Sequence, residues 1–383
     1  MTGCAPKLLF FVSVDWFFCS HFLQRAIAAK DAGYDVVLVS KFERHRDIVE
    51  TAGIRTIPIE LERRSLNPLA ALRAMVAVAK IYRRERPDIA HHVAIKPILI
   101  GGLASVFAPP GSIVNAIVGM GYIFTGNSLV SRFVRPLVRL GFRFFLNPAD
   151  SRVVFENSDD LTDFVAARAV RKKDAVLIRG AGVEPNHYWL ADDRRLPPVT
   201  IFVARLLWDK GVGELIDAIR LLKQRGVAGR FIFVGDADPG NPACIDAKTL
   251  AEWKSEGLAE FLGYRSDIPM LLSQSHIACL PSHREGLPKS LLEAMAAGLP
   301  CVTTDTPGCR EAVRDGDNGL LVPVRSPFHL ANALERLILD EGLRVKMGTR
   351  GRERIEREFS TAIVVDETLK LYAEVCHLHS DPR

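Results

Sequence analysis

Residues 284 to 300 read REGLPKSLLEAMAAGLP and set two carboxylates, Glu285 and Glu293, at either end of a short apolar run. Pro288 stands where a first helical position would be, and Gly298 and Pro300 close the run as a helix stop. A helix beginning there leaves the amides of Gly286, Leu287 and the first turn without intrahelical partners, a donor set open to an anion. Upstream, VARLLWDKG places Arg205 at the end of a strand and Lys210 just before a helix. A guanidinium, an ammonium and free amides together favour a diphosphate. The carboxylates suit hydroxyls: Glu285 beside the bound anion, Glu293 gripping two vicinal hydroxyls of a ribose. A ligand with polyols at both ends and a diphosphate between them, such as a nucleotide sugar, satisfies all four. Taken one at a time, the same residues read as ordinary surface cations, a solvated helix glutamate and a carboxylate that complements a helix dipole.

The elements that must position these groups follow from the rest of the chain. Its 383 residues exceed one ordinary core, so two domains are expected. At 48% hydrophobic and 25% charged, with a net charge of +5, the composition is that of a soluble globular protein. The mild positive excess fits an anionic small molecule or a lipid surface, and no dense basic cluster interleaved with aromatics points to nucleic acid. Seven cysteines, at 4, 19, 244, 279, 301, 309 and 376, show neither C-x-x-C nor metal-ligand spacing, as expected of reduced thiols in a cytosol. The apolar start is short, interrupted by Asp15 and lacks a cleavage site, so it reads as a buried strand from Lys7 to Val14 and not as a signal peptide. No apolar run is long enough to span a membrane.

Strand-like and helix-like segments alternate, the pattern of parallel α/β architecture. KLLFFVSV, YDVVLVS, TIPIEL, PDIAHHV, SIVNAIV, SRVVFEN and AVLIRG form a first series. Helices are expected from Leu23 to Ala32, from Arg46 to Thr51 and from Pro68 to about Arg84, the last capped by Asn67. The polar, proline-rich stretch LADDRRLPP, residues 190 to 198, reads as a linker. VTIFVAR, RFIFVGD, AEFLGY, HIACLPS, PCVTTD and GLLVPV form a second series. The expected fold class is α/β, two doubly wound Rossmann-like domains facing a central cleft. The first spans 1–189 and the second 199–360. Ligands of such sheets bind beyond the carboxyl ends of the strands. VGDADPGNP and LGYRSDIP are further turns at strand ends, the latter placed to pass its backbone near a base.

Arg205-x4-Lys210 followed by EGLPKSLLEAMAAGLP, with seven residues between the two glutamates, resembles the retaining glycosyltransferases of family 4, which have the GT-B fold. SVDWFFCSH, HHVAIKPILIGGLAS, VNAIVGMGYIFT, TDTPGCREAV, NGLLVP and EREFS are similar to segments of bacterial members that build surface polysaccharide, so the likeness spans nearly the whole chain. It implies that Arg205 and Lys210 hold the donor diphosphate, that Glu285 contacts the donor sugar and Glu293 the ribose, and that the backbone of Gly286, Leu287 and Pro288 approaches sugar and phosphate. It implies retention of anomeric configuration through front-face attack, with positioning and leaving-group stabilisation in place of a side-chain nucleophile. No metal is expected, since two cations and a helix end take its place. Family habit makes the donor UDP-linked, and segment 361–383 is expected to cross back onto the first domain.

On the acceptor side many relatives read His-x-His after a strand; this chain has His91, His92 and then Val93, so valine fills the usual second position. His91 joins Glu285, Arg205 and Lys210 in the catalytic set the resemblance implies, with His92 as its alternate. Lys96 is a candidate for an acceptor phosphate. Gly119 and Gly121 could bring backbone amides to the ligand, and Asp15 and His21 lie in what reads as the loop after the first strand. The bland readings are structural histidines and a tight turn. Arg132, Arg135, Arg139 and Arg143 recur at helical spacing, a basic face that fits an anionic membrane. A polyprenyl-diphosphate-linked or oligosaccharide acceptor of lipopolysaccharide, capsule or exopolysaccharide synthesis is then expected, with the protein cytoplasmic and peripheral on the inner face of the cell membrane. Two other functions fit the layout: a nucleotide-sugar epimerase, and a sugar-nucleotide-binding protein that has lost its chemistry.

Overall fold

The computed structural model describes residues 5–61, 67–119, 141–191 and 196–380. The chain divides into two units, Met1–Ala181 with Thr361–Arg383, and Gly182–Ser360. The division falls ahead of the 190–198 stretch, because residues 182–189 belong with the second unit: Val183 takes a bridge position beside Ser360.

Among the described residues the first unit holds seven strands, β1 (Lys7–Val12), β2 (Asp35–Ser40), β3 (Arg55–Pro58), β4 (Ile89–Val93), β5 (Ser112–Ile117), β6 (Ser151–Phe155) and β7 (Ala175–Leu177). They form one parallel sheet in the order β3-β2-β1-β4-β5-β6-β7. The order reverses between β1 and β4, so the chain ends of those two strands flank the switch point where such sheets bind ligands. Central strands are buried along their length, β4 and β5 at every residue; helices cover both faces, which is why the sequence runs apolar without alternation.

The helices are α1 (Asp15–His21), α2 (Leu23–Asp31), α3 (Arg46–Thr51), α4 (Pro68–Glu85), α5 (Ile95–Phe107) and α6 (Ser158–Ala166). The Asn67 side chain accepts from the amide of Leu69 at 2.9 Å and Pro68 opens α4, the cap its sequence dictates. The strand expected to reach Val14 ends at Val12, and the expected loop beyond it is α1. Phe18 and Phe22 pack there on Phe10, at ring separations of 5.4 and 6.3 Å, and that burial draws the segment into a helix.

The second unit repeats the plan. β8 (Val199–Val203), β9 (Arg230–Val234), β10 (Glu260–Phe261), β11 (Ile277–Leu280), β12 (Cys301–Thr304) and β13 (Gly319–Val322) form a parallel sheet in the order β10-β9-β8-β11-β12-β13, reversing between β8 and β11. Its helices are α7 (Val212–Gln224), α8 (Ala247–Ser255), α9 (Ile268–Ser273), α10 (Lys289–Ala296), α11 (Cys309–Ala312), α12 (Pro327–Leu339) and α13 (Glu341–Arg354). In α10, Leu291, Leu292, Ala294, Met295 and Ala296 are buried, so one narrow polar edge is left for Lys289 and Glu293. The last helix, α14 (Thr361–Ser380), returns to the first unit. Its Val364, Leu371, Tyr372 and Val375 share a core with Leu8, Phe10 and Phe22.

Among the described residues no helix is long and apolar enough to cross a membrane, and no group of three or more His, Cys, Asp or Glu residues could hold a metal ion.

Candidate functional site

The carboxyl ends of β8 and β11, the neighbours at the second unit's switch point, carry the charged residues singled out above. After β8 the chain runs through Arg205 to a single turn at Trp208–Lys210, then Gly211 leads into α7. Gly211 has φ +74°, and a side chain there would strike the Pro281 carbonyl at the end of β11; only glycine lets the two loops approach so closely. The loops are stitched together. The His283 amide donates to the carbonyl of Asp209 at 2.8 Å, and Ser282 Oγ donates to the same carbonyl at 3.1 Å.

Lys210 Nζ meets Glu285 Oε1 at 2.5 Å, with both side chains largely buried. His283 Nε2 meets Glu214 Oε1 at 2.8 Å. Asp209 lies in the field of the whole group. Burial pushes its carboxyl up; Lys210, Arg205 and His283 pull it down, while Glu285 pushes it further up. Arg205, Lys210, Glu285 and His283 therefore converge on one spot. Arg205 is paired with Asp238 at 2.6 Å, and Asp238 belongs to the glycine-bearing turn after β9. Gly235 opens that turn at φ +138°, against the Ala204 carbonyl.

Pro288 is the N-cap of α10 and not its first helical residue, with an extended ψ of 107°; the helix begins at Lys289. Glu293 stands about one turn into the helix. Its carboxylate lies 3.4 Å from Lys289 Nζ and bonds the Tyr188 hydroxyl, whose acidity burial and Glu293 together suppress. The backbone of Glu285 and Gly286 is backed by Gly308, at φ +78°, where a side chain would run into both carbonyls. Cys309 follows, buried, its thiol pushed up to about 11 by burial and by Glu285. The loop of β8, the loop of β11 and the turn after β12 thus set Lys210, Glu285 and the start of α10 in one rigid frame. A frame with cations, carboxylates and a helix start can take an anion and hydroxyls side by side.

In the first unit the expectations divide. Lys96 is the second residue of α5, half-buried just past β4, and Gly119, with φ +121°, lies just past β5. Both therefore occupy carboxyl ends of central strands. Ala94, between β4 and α5, adopts φ +74°, a strained conformation for a residue with a side chain and one that clusters at functional sites; nothing in its sequence neighbourhood announced it. Gly121, Arg132, Arg135 and Arg139 lie outside the described residues.

His91 and His92 depart from the expectation of a ligand contact. They are 1% and 0% exposed. His91 stacks on Phe10 at 5.0 Å and pairs through Nδ1 with the Tyr372 hydroxyl at 2.7 Å. His92 sits between Asn115 Oδ1 at 2.9 Å and the Tyr82 hydroxyl at 2.7 Å. Burial holds both imidazoles below their ordinary range, His92 down to about 4, so neither is a cation at neutral pH. Val93 is buried as well. A strand covered on both faces turns consecutive residues into two cores, and that is where these side chains go.

Asp15 is likewise structural. Fully buried, it accepts the amides of Glu43, Arg44 and His45 on one oxygen, at 2.9, 3.0 and 2.8 Å, and that of Trp16 on the other at 2.8 Å. It fastens the loop after β2 to the start of α1. His21 is half-buried on α1, stacked on Phe17 at 4.2 Å.

His283, Glu214, Asp209, Asp238 and Tyr188 were not singled out by sequence. His283 lies only two residues from Glu285, but its partner Glu214 is 69 residues away, and no spacing rule joins them.

Residues 7–147 match the family described as glycosyl transferase 4-like, and residues 194–354 match glycosyl transferases group 1. The N,N'-diacetylbacillosaminyl-diphospho-undecaprenol alpha-1,3-N-acetylgalactosaminyltransferase of Campylobacter jejuni is 27% identical over 373 residues, covering 93% of this chain and 95% of that protein. The UDP-Gal:alpha-D-GlcNAc-diphosphoundecaprenol alpha-1,3-galactosyltransferase of Escherichia coli is 25% identical over 324 residues and 82% of each chain. Among solved structures, Anabaena HepE in complex with UDP and glucose superimposes with a TM-score of 0.77 at 20% identity, covering 96% of this chain and 99% of that one. Sucrose-phosphate synthase of Thermosynechococcus elongatus gives 0.80 at 17% identity, covering 97% and 99%. The two family matches, the full-length relatives and the doubly wound pair of sheets agree: the chain belongs to the glycosyltransferases of the group 1 and 4-like families and has the GT-B fold.

Proposed function

We propose that this glycosyltransferase is a retaining enzyme that moves a sugar from a UDP-linked donor to a polyprenyl-diphosphate-linked acceptor in the synthesis of a bacterial surface polysaccharide. The observation that carries the donor half is the Lys210–Glu285 pair at the β8/β11 switch point, beside the start of α10. Lys210, with Arg205, supplies positive charge for the diphosphate; Glu285 and Glu293 accept sugar and ribose hydroxyls. Support for the acceptor half comes from the two full-length relatives named above, both of which act on undecaprenyl-diphosphate-linked sugars. The epimerase and binding-only alternatives fall away, since those relatives are transferases.

Catalysis is positioning and electrostatics: the cations stabilise the departing diphosphate while the carboxylates fix the sugar for attack on the face it leaves. No metal is needed in this scheme, so activity persists in EDTA; complete loss restored by Mg²⁺ counts against it. The protein works on the inner face of the cell membrane. Supporting this, Arg143, Arg168, Arg171 and Lys172 line a depression of about 490 Å³, and Phe144, next to Arg143 in sequence, is 70% exposed. Incubation with radiolabelled UDP-sugars and a membrane lipid extract tests the function. Labelled lipid supports it; a converted nucleotide sugar, or no transfer across the panel, overturns it.

A further inference from the structure

We propose that His283 and Glu214 form a positioning pair that keeps the loops of Lys210 and Glu285 in register while the donor is bound, an inference that rests on the donor site proposed above. The pair joins the same two loops as Lys210 and Glu285 but uses neither of those side chains. Glu214 lies in the first turn of α7, four residues beyond Lys210, and His283 lies two residues before Glu285. The Nε2–Oε1 contact is 2.8 Å and the side chains are 19% and 17% exposed. The His283 main chain is tied to the Asp209 carbonyl at 2.8 Å, immediately before Lys210.

The need for a second tie follows from what the site must do. In the free protein the Lys210–Glu285 ion pair itself holds the loops together. A bound diphosphate takes the ammonium, and Glu285 turns to hydroxyls, so the ion pair weakens at the moment its geometry matters. The loops then depend on contacts that the ligand does not compete for. Burial raises the Glu214 carboxyl, and the hydrogen bond from His283 leads the interactions that bring it below its usual range. An imidazole N–H donating to a carboxylate is a directional contact of the strength such a tie requires. Arg325 is the other cation that acts on Glu214. Neither His283 nor Glu214 is placed on the reacting atoms; both act through Lys210 and Glu285.

The test is UDP affinity by titration calorimetry on the full chain, for His283→Ala, Glu214→Ala, the double variant and His283→Gln, with thermal melts as the folding control. Each alanine variant should weaken UDP about tenfold, and the double variant should be no weaker than either single, as expected of residues acting as one unit. His283→Gln, whose amide N–H can still reach Glu214, should stay within about threefold of wild type. In a Lys210→Ala background, His283→Ala should change the residual affinity by less than about twofold, because its effect passes through Lys210. A general loss of structure would not disappear in that background. Single effects that multiply in the double variant, failure of glutamine to rescue, or folded variants with wild-type affinity overturn the pair. If the wild-type chain binds neither UDP nor GDP, the donor-site reading itself fails and takes this inference with it.

Discussion

The ammonium of Lys210 lies 2.5 Å from a carboxylate oxygen of Glu285, 75 residues further along the chain. In the proposed donor site each group is held by the other until the ligand replaces it, the diphosphate at the lysine and the sugar hydroxyls at the glutamate. The free site is thus internally neutralised, and ligand binding is an exchange of partners.

That exchange has a signed consequence. Lys210→Ala should weaken UDP by roughly 10- to 100-fold, the worth of a charge-assisted bond. Glu285→Gln removes a competitor for the ammonium, so UDP should bind a few-fold tighter while transfer falls by about 100-fold or more. Calorimetry and initial rates separate the two effects; weaker UDP binding by Glu285→Gln contradicts the exchange.

Gly308 offers a backbone test of the same frame. Its φ of +78° and the Gly286 carbonyl beneath it leave no room for a side chain. Gly308→Ala should cost about 1–3 kcal/mol and weaken UDP by displacing the segment that carries Glu285. Gly316, at φ +73° with nothing within 4 Å, is the control. Its alanine variant should lose about 1 kcal/mol at most and leave UDP affinity unchanged.

The buried histidines predict a pH dependence of stability. Their folded pKa values lie below the usual 6.5, His92 at about 4. The unfolded chain therefore binds more protons below that pH, and stability rises with pH and is lost as pH falls from 6.5 toward 4. Urea midpoints should drop across that window, and His92→Gln should remove about 1.4 kcal/mol per pH unit of the slope. An unchanged slope means that His92 is solvated. Transfer by the folded variant at pH 7.5 should stay within about threefold of wild type.

Asp15 adds a second window of the same sign at lower pH. Burial raises its carboxyl, but the amide bonds from His45, Glu43, Arg44 and Trp16 together outweigh that and lower it below 3.8. A lowered folded pKa contributes stability that is present above the unfolded value and lost as pH falls through the folded one. Asp15→Asn should cost about 1–3 kcal/mol at neutral pH, with the deficit closing below about pH 4. UDP affinity should not move, and a large loss of it would return Asp15 to the ligand.

Much of this frame is legible before any coordinates. Arg205, Lys210, Glu285 and Glu293 stand out because their motifs are local, each within a few residues of a strand end or a helix start. Asn67–Pro68 announces α4 for the same reason: a cap and its helix are neighbours in sequence. What stays hidden is pairing across the fold. Glu214 and His283 meet only because β8 and β11 are adjacent, and sheet order is not written in either strand. The aim of a side chain is hidden too. IAHHV is buried on both faces, so no alternation separates inward from outward, and two histidines that look like ligands are core residues. Asp15 misleads similarly, since a carboxylate that clasps four amides and one that faces an acceptor look alike in sequence.

The crossing of α14 bears on how the protein is made. Tyr372 supplies the only hydroxyl seen on His91 among the described residues, Val375 accepts from Ser112 at 3.0 Å, and Glu374 reaches Arg152 at 2.5 Å. These anchors emerge from the ribosome after the entire second unit, so the half synthesised first is completed last. During translation it waits with Leu8, Phe10 and Phe22 uncovered on one side, and a message truncated before codon 361 would yield a finished second unit joined to a first unit that cannot close its own core.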